Sequence, residues 1–435
     1  MRPSSRALLL LALTLLVSAV AVFVPLVLSL WIGLGALSLL LILGDMVLLL
    51  RTPVPTCTRR VPKALSLGEW HTLTLRVSSR AGRRLGLMVH DHAPRVLETK
   101  GLPRALDLPA RGWLEVDYHV RPTVRGPAEF GLADLLIDGP LGLVQRRVRV
   151  GQTQEIKVYP DFKAVSKFAL LALDNRLSQL GVHLRRRRGE GTEFFQLREY
   201  RQGDSLRQVD WKAVSRRRQL VSREYRDEQD QRVIFLLDCG RRMHTLDGDI
   251  SHFDHALNAM LLLSYVGLRQ GDAVGMMTFS GDQDRWVPPV KGAGNMTTLL
   301  NRVYDLQTSA QPSDFAEAAK KLLVRQRRRC LVVLLTNLRD DDAQDLPRAL
   351  GPLRSKHLVL LASLREPALN RALVEPIQHL QDATRVGAVA GYLAERQRVY
   401  DSLRGRGIMT LDCEPGELPV ALVNKYMEIK RSGIL

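Results

Sequence analysis

The stretch Arg232-Val-Ile-Phe-Leu-Leu-Asp238 is an unbroken apolar run closed by a carboxylate, and it decides the fold of the C-terminal half. A strand with one wet face alternates apolar and polar residues, so a continuous run predicts a strand covered on both faces. The chain around it keeps this rhythm. An amphipathic helix follows over Phe253–Arg269 and a second apolar run over Ala273–Ser280. Helices are expected over Met296–Leu306 and Phe315–Arg327, strands over Cys330–Asn337 and His357–Ser363, and a helix over Thr384–Leu403. A strand over Gly407–Asp412 and a helix over Leu418–Ile429 complete the series. Alternating strands and helices specify a mostly parallel sheet with helices on both faces. This α/β domain is placed at residues 232–435.

Residues 161–231 read as a connecting segment. Lys163–Leu180 has helical periodicity, and from Arg185 to Gln231 the chain is polar and dense in charge. Glu199, Arg201, Asp204, Arg207 and Asp210 alternate in sign, which favours local ion pairs around a turn at Gly203-Asp204, with Trp211 as an apolar anchor. The segment is either a clamp between domains or a docking surface for a partner.

Residues 61–160 read as β structure. His71-Thr-Leu-Thr-Leu-Arg-Val77, Trp113-Leu-Glu-Val-Asp-Tyr-His-Val120 and Val144-Gln-Arg-Arg-Val-Arg-Val150 all carry the period of a half-buried strand. Gly and Pro punctuate them, and the spacing suggests a small β-sandwich. His90-Asp91-His92, just before Pro94, is read as a loop rather than a metal site.

Ahead of this, Ala7 to Leu50 is almost wholly apolar, with Asp45 its single charge. The block is about twice the length of one bilayer crossing. Residues 1–52 are therefore expected to form a two-helix transmembrane hairpin with spans of about 7–24 and 30–50, turning near Pro25. Trp31 would sit near headgroup level. Arg2 and Arg6 precede the block, and Arg51, Arg59, Arg60 and Lys63 follow it. Positive charge belongs on the cytoplasmic side, and a hairpin satisfies both ends. A cleaved signal peptide would have a much shorter apolar core and a small-residue cleavage site. Asp45 either makes a polar contact inside a helix assembly or reaches the nearby interface.

The net charge of +18 comes mostly from arginine. Clusters at Arg185–Arg188, Arg216–Arg218 and Arg327–Arg329 suit the anionic inner leaflet or a solvated surface. No aromatic residues interleave with them and no nucleic-acid-binding motif appears, so nucleic acid is not an expected partner. Cys57, Cys239, Cys330 and Cys413 are far apart and form no CxxC pair, which supports neither a zinc ribbon nor a redox motif.

With these residues in view, the C-terminal domain resembles a von Willebrand factor type A domain, a Rossmann-type α/β fold. The stretch Glu193-Phe194, Leu197-Arg198-Glu199-Tyr200, Gly203-Asp204, Arg207, Asp210-Trp211 resembles the hallmark of a bacterial membrane protein family called domain of unknown function fifty-eight. Tyr118-His-Val-Arg-Pro-Thr-Val-Arg-Gly-Pro127, Asp138-Gly-Pro-Leu-Gly-Leu143 and Val158-Tyr-Pro160 agree with it. The resemblance implies membrane helices, a β domain and an A-like domain in the bacterial inner (cytoplasmic) membrane, with the soluble domains in the cytoplasm. It also implies a MoxR-type AAA+ ATPase, and other membrane or envelope proteins, as partners.

An A domain ordinarily holds magnesium through a DxSxS loop, a later Thr and an Asp, all hard oxygen ligands. Here the loop is Asp238-Cys239-Gly240-Arg241-Arg242, Ser313 stands for the Thr, and Asn337 stands for the Asp. Both loop hydroxyls and one charge are lost. The expectation is a degenerate site with no cofactor, the alternative a magnesium-dependent ligand-binding domain with a weakened shell. Arg242 either turns inward, placing a fixed cation beside Asp238, or points to solvent.

No GxxxxGK[ST], GxSxG or HExxH stretch exists. His252 and His255 lie three apart at a helix start with no third ligand in sequence, and Cys239 with His244 lacks an orienting partner. The expectation is a non-enzymatic, membrane-tethered interaction protein whose partner-binding candidates are Asp238, Arg242, Glu199, Asp204, Arg207, Asp210 and Trp211.

Overall fold

In the computed structural model the described residues are 1–435 apart from 22, 25–26, 63, 162–192, 202–207, 227–230, 283, 340–341, 343–344 and 435. They form two compact units, residues 1–159 and 160–435. The expected helix over Lys163–Leu180, the Arg185–Arg188 cluster, the turns at Pro25 and Gly203-Asp204, and Arg207 lie outside the described residues.

The first unit opens with α1 (Ser5–Ala21) and α2 (Val27–Arg51), which pack against each other. The expected pair of spans is supported for one helix. Helix α2, with 25 residues, is the one helix among the described residues long and apolar enough to cross a membrane. Helix α1 is a shorter apolar helix of 17 residues. Leu9, Leu15 and Leu40 are 71%, 73% and 68% exposed, whereas a soluble core helix would bury such side chains.

The β region takes one strand from ahead of α1 and, after α2, resumes at Thr56 rather than at 61. Its strands are β1 (Arg2–Pro3), β2 (Thr56–Arg60), β3 (Ala64–Ser66), β4 (His71–Ser78), β5 (Leu85–Asp91) and β6 (Leu97–Lys100). They continue with β7 (Arg104–Leu108), β8 (Trp113–Pro122), β9 (Gly126–Phe130), β10 (Ala133–Asp138), β11 (Val144–Val150) and β12 (Gln154–Tyr159). One sheet runs β1-β11-β10-β5-β7 and another β2-β4-β8-β6, both antiparallel. A third sheet, β3-β12-β9, contains a parallel pair. Leu73, Leu75 and Val77 of β4 and Leu85, Leu87 and Val89 of β5 meet in one core. Each such side chain contributes about 1.5–3 kcal/mol on burial.

The expected loop at His90-Asp91-His92 is instead a strand end. Strand β5 runs to Asp91, whose buried carboxylate takes the Arg59 guanidinium and, at 2.5 Å, the Tyr118 hydroxyl. His92 Nε2 lies 2.7 Å from Asp134. A buried carboxylate must be paired, and these partners come from distant strands that the sequence does not align by eye.

The second unit starts with a hairpin, β13 (Glu193–Glu199) and β14 (Val221–Arg226), with the short helix α3 (Trp211–Arg217) between them. Next come β15 (Arg232–Asp238), the small pair β16 (Leu246–Asp247) and β17 (Ile250–Ser251), and α4 (His252–Arg269). Then follow β18 (Ala273–Phe279), β19 (Trp286–Val290), α5 (Met296–Val303), α6 (Phe315–Arg325), β20 (Leu331–Thr336) and α7 (Asp345–Lys356). The chain ends with β21 (Leu358–Leu364), α8 (Pro367–Val374), α9 (Leu380–Gly405), β22 (Met409–Cys413) and α10 (Leu418–Ser432).

The six-stranded sheet has the order β19-β18-β15-β20-β21-β22, parallel except for β19. Helices cover both faces, as the run at 232–238 requires. Phe235 and Leu237 pack with Leu257, Leu261, Leu422 and Tyr426. Ile234 and Leu236 pack with Leu322, Leu350, Leu353 and Leu403 on the other face. Strand β19 was not expected, because it contains Pro288 and Pro289. It is an edge strand, where a missing N–H breaks no ladder.

Candidate functional site

In an open parallel sheet the ligand crevice forms at the carboxyl ends of the strands, where the strand order reverses. Here the reversal falls between β15 and β20, which end at Asp238 and Thr336. The carboxylate of Asp238 is fully buried at that point.

Its oxygens are committed inside the protein. Oδ1 accepts the Gly240 amide at 2.8 Å, and Oδ2 accepts the Thr336 hydroxyl at 2.6 Å. The Ser313 hydroxyl sits 2.8 and 2.7 Å from the two oxygens. Burial pushes this carboxyl above the usual range, and the Thr336, Ser313 and Gly240 donors, with Arg242, offset part of that. Gly240 is glycine for space: a Cβ there would lie 2.8 Å from Ser313 Oγ and 3.0 Å from Asp238 Oδ1.

Arg242 faces inward and is buried, which settles its two possible orientations. Its closest carboxylate, however, is Asp342, which it pairs through Nη1, while Nε lies 3.9 Å from Asp238. The same Nη1 donates to the Asn337 carbonyl at 3.2 Å, and the guanidinium lies 5.3 Å from the Phe315 ring centroid. Arg242 is thus a fixed cation between two carboxylates.

Asn337 is buried beside this network. Its Nδ2 donates to Glu366 Oε1 at 2.7 Å and lies 3.3 Å from His252 Nδ1. With the amide nitrogen donating, His252 Nδ1 accepts, so the neutral ring carries its hydrogen on Nε2. Burial lowers the pKa of His252, partly opposed by Glu366, and burial also lowers that of His255. Among the described residues no group of three or more His, Cys, Asp or Glu is placed to hold a metal ion, so the paired histidines remain two.

Cys239 is buried in the core with Sγ 3.9 Å from the Leu237 carbonyl, whereas His244 is exposed. The fold does not bring them together as a nucleophile and base. None of the four cysteines forms a disulfide, and all four are buried. Burial pushes Cys57 up to about 11, and Cys330 and Cys413 up to about 12.

The hallmark residues sit apart from the sheet edge in sequence and divide in role. Asp210 caps α3, accepting the Lys212 and Ala213 amides at 3.1 Å, and pairs with Arg223 Nε at 3.0 Å. Arg223 and those amides hold its carboxyl below the ordinary range. Glu199 is exposed at the end of β13. The expectation of Trp211 as an apolar anchor is corrected: it is 63% exposed. It occupies the first position of a seven-residue helix whose direction Asp210 fixes, and that direction leaves the indole outside. Asp204 and Arg207 lie outside the described residues.

Sequence reading missed Asp342, Glu366 and the bonding role of Thr336. The acidic run Asp340-Asp341-Asp342 was the only local signal for the first. Nothing local marks Glu366, which reaches the site from the far end of β21.

A third feature lies in the first unit. Asp45 was expected either within a helix assembly or at the interface. Its buried carboxylate accepts the Leu141, Leu143 and Val144 amides at 2.8, 2.8 and 2.9 Å, all from a turn of the β region.

Comparison with known families matches residues 196–385 to the family described as "Protein of unknown function DUF58". No curated protein matches the chain. Among solved structures, Salmonella alpha-2-macroglobulin reacted with methylamine is similar at 20% identity and TM-score 0.19, covering 24% of this chain. This chain spans 7% of that protein's length. The CARDB domain of a Pyrococcus furiosus protein is similar at 13% identity and TM-score 0.19, covering 25% of this chain and 90% of its own. Proximal thread matrix protein 1 of the mussel byssus is similar at 8% identity and TM-score 0.28, covering 47% of this chain and 46% of its own.

Proposed function

We propose that this chain is a membrane-anchored, non-enzymatic interaction module or adaptor of the bacterial cytoplasmic membrane. It works with a MoxR-type AAA+ ATPase in complex assembly or envelope-related processes, its domains on the cytoplasmic side. The observation that carries the reading is Trp211. A large aromatic side chain 63% exposed on a capped helix is what a partner-binding hot spot requires. It lies inside the residues that match the DUF58 family.

The strand-end network supports a binding rather than a catalytic role, since Asp238, Arg242, Asn337 and Glu366 are held by one another. The A-like reading of the α/β domain brings with it the question of magnesium. The residues present do not fit that ion. Divalent magnesium needs near-octahedral oxygen ligation. Asp238 is one carboxylate whose oxygens are already taken by hydroxyl and amide donors, beside a fixed guanidinium.

The test is a pull-down of the detergent-solubilised full chain, read by mass spectrometry in chelator and in magnesium. An ATPase retained in both conditions and lost in Trp211→Ala supports the reading. Capture only with magnesium favours the metal-dependent alternative, and no ATPase in either condition refutes the partnership.

A further inference from the structure

Three tight connections of the first unit, residues 79–84, 109–112 and 139–143, gather at the end where α2 arrives. Asp45 holds the third through the Leu141 and Leu143 amides. Arg83 Nη2 donates to Thr52 Oγ1 at 3.1 Å, tying the first to the residue after α2. The Arg111 amide donates to the Ala81 carbonyl at 2.9 Å, and the Ser79 amide to the Gly112 carbonyl at 2.9 Å, joining the second to the first.

This rim is cationic. Arg80, Arg84 and Arg111 are exposed, Arg83 is half-buried, and Arg51 at the end of α2 is exposed beside them. No acid occurs between Glu69 and Asp91 in the sequence. Among the described residues none of the five arginines makes an ion pair, whereas Arg121, Arg147 and Arg223 elsewhere each have a carboxylate. Asp107 and Asp138 lie beside Gly86, and Asp138 already accepts from Gln145 Nε2 at 2.8 Å. Immediately after the second connection stands Trp113, 52% exposed, with the Arg76 guanidinium 4.1 Å from its ring.

We infer that this rim, Arg51, Arg80, Arg83, Arg84 and Arg111 with Trp113 at its margin, is a binding surface for the headgroups of anionic phospholipids. The inference rests on the membrane reading, because α2 is what presents the rim to a bilayer. Guanidinium groups match phosphate oxygens in a planar, bidentate fashion. Basic residues beside an anionic leaflet bind it additively, and tryptophan prefers the headgroup level. The position of the rim at the end of α2, the candidate span, selects the leaflet over an acidic protein face. These arginines differ from the clusters that sequence alone singled out, and four of them come from connections that only folding brings to the end of α2.

The experiment uses the full chain reconstituted in vesicles of phosphatidylcholine containing a minor share of phosphatidylglycerol. The protein is extracted in mild detergent, and the co-purifying lipids are measured by mass spectrometry. The wild-type chain enriches phosphatidylglycerol over its share in the vesicle. The variant R80Q/R84Q/R111N loses that enrichment roughly tenfold, at unchanged melting temperature. It keeps Arg83 and its bond to Thr52, and Asn tolerates the positive φ of Arg111. The control variant R327Q/R328Q in the second unit keeps the enrichment. Equal enrichment in the rim variant, or none in the wild type, overturns the inference while leaving the anchor intact. A chain that does not enter the vesicles at all overturns the membrane reading, and the inference falls with it.

Discussion

Asp45 and Leu143, 98 positions apart, are joined by a 2.8 Å hydrogen bond from the Leu143 amide to the Asp45 carboxylate. The turn Asp138-Gly-Pro-Leu-Gly-Leu143 is shaped around the two N-terminal helices. A Cβ at Gly139 would fall on the Asp45 carboxylate, and one at Gly142, where φ is +71°, would lie 2.9 Å from Arg6 Nη1. The Ser4 hydroxyl donates to the Gly142 carbonyl at 2.5 Å. The start of α1 and the end of α2 therefore meet at one turn, which makes the pair a hairpin docked on the β domain.

Removing that carboxylate strands three amides, two of them buried. Asp45→Ala is expected to destabilise the first unit by about 2–4 kcal/mol, since bonds to a charged acceptor are worth about 1.5–3 kcal/mol each and do not add fully. Gly139→Ala should cost a similar amount by displacing the same carboxylate. Thermal unfolding of the detergent-solubilised chain checks both, and an unchanged midpoint in Asp45→Ala would show that the turn does not depend on it.

At the strand ends, Gly240→Ser should not create a metal-binding loop. The added side chain meets Ser313 Oγ and Asp238 Oδ1, so the variant is expected to lose about 1–3 kcal/mol whether or not magnesium is present. Arg242→Ala leaves Asp342 and Asp238 without their shared cation and should cost about 3–5 kcal/mol. Denaturant titration in chelator and in magnesium reads both variants. A magnesium-dependent rise in the stability of the wild type that Asp238→Ala abolishes would contradict the metal-free site.

Trp211→Ala should leave stability within about 0.5 kcal/mol, because an exposed side chain contributes little to folding. Partner capture should fall together with the indole. The pair of measurements separates a docking residue from a structural clamp, since a clamp residue would lower the melting temperature as well.

The pH response follows from His252 and His255, whose pKa values burial lowers. The groups facing them include Asp247, Asp254, Glu366 and Arg396. A histidine kept neutral in the fold binds more protons once unfolded, so stability is present above its unfolded pKa, about 6.5. It declines as pH falls from there toward the lower folded value. Denaturant midpoints at pH 7 and pH 5 should show this loss, and His252→Gln with His255→Gln should shrink it. An undiminished slope in the double variant would place the response elsewhere.

What the sequence determined by itself was everything carried by short-range periodicity. The run Arg232–Asp238 could only be a strand covered on both faces, and its alternate side chains do enter two separate cores. The apolar block at the N-terminus, the strand period over 71–77 and 113–120, and the helices flanking the parallel strands, α7 and α8 excepted, were legible for the same reason. Strand β19 was hidden because two prolines oppose a strand unless it lies at an edge, and edge position is a property of the assembled sheet. The site divides likewise. Asp238, Arg242, Ser313 and Asn337 were singled out in the sequence, but tertiary structure alone brought Thr336 onto Asp238, Asp342 onto Arg242, and the turn at 139–143 onto Asp45. A buried charge takes whatever donors the fold supplies, and the fold supplies them from positions that no local pattern connects.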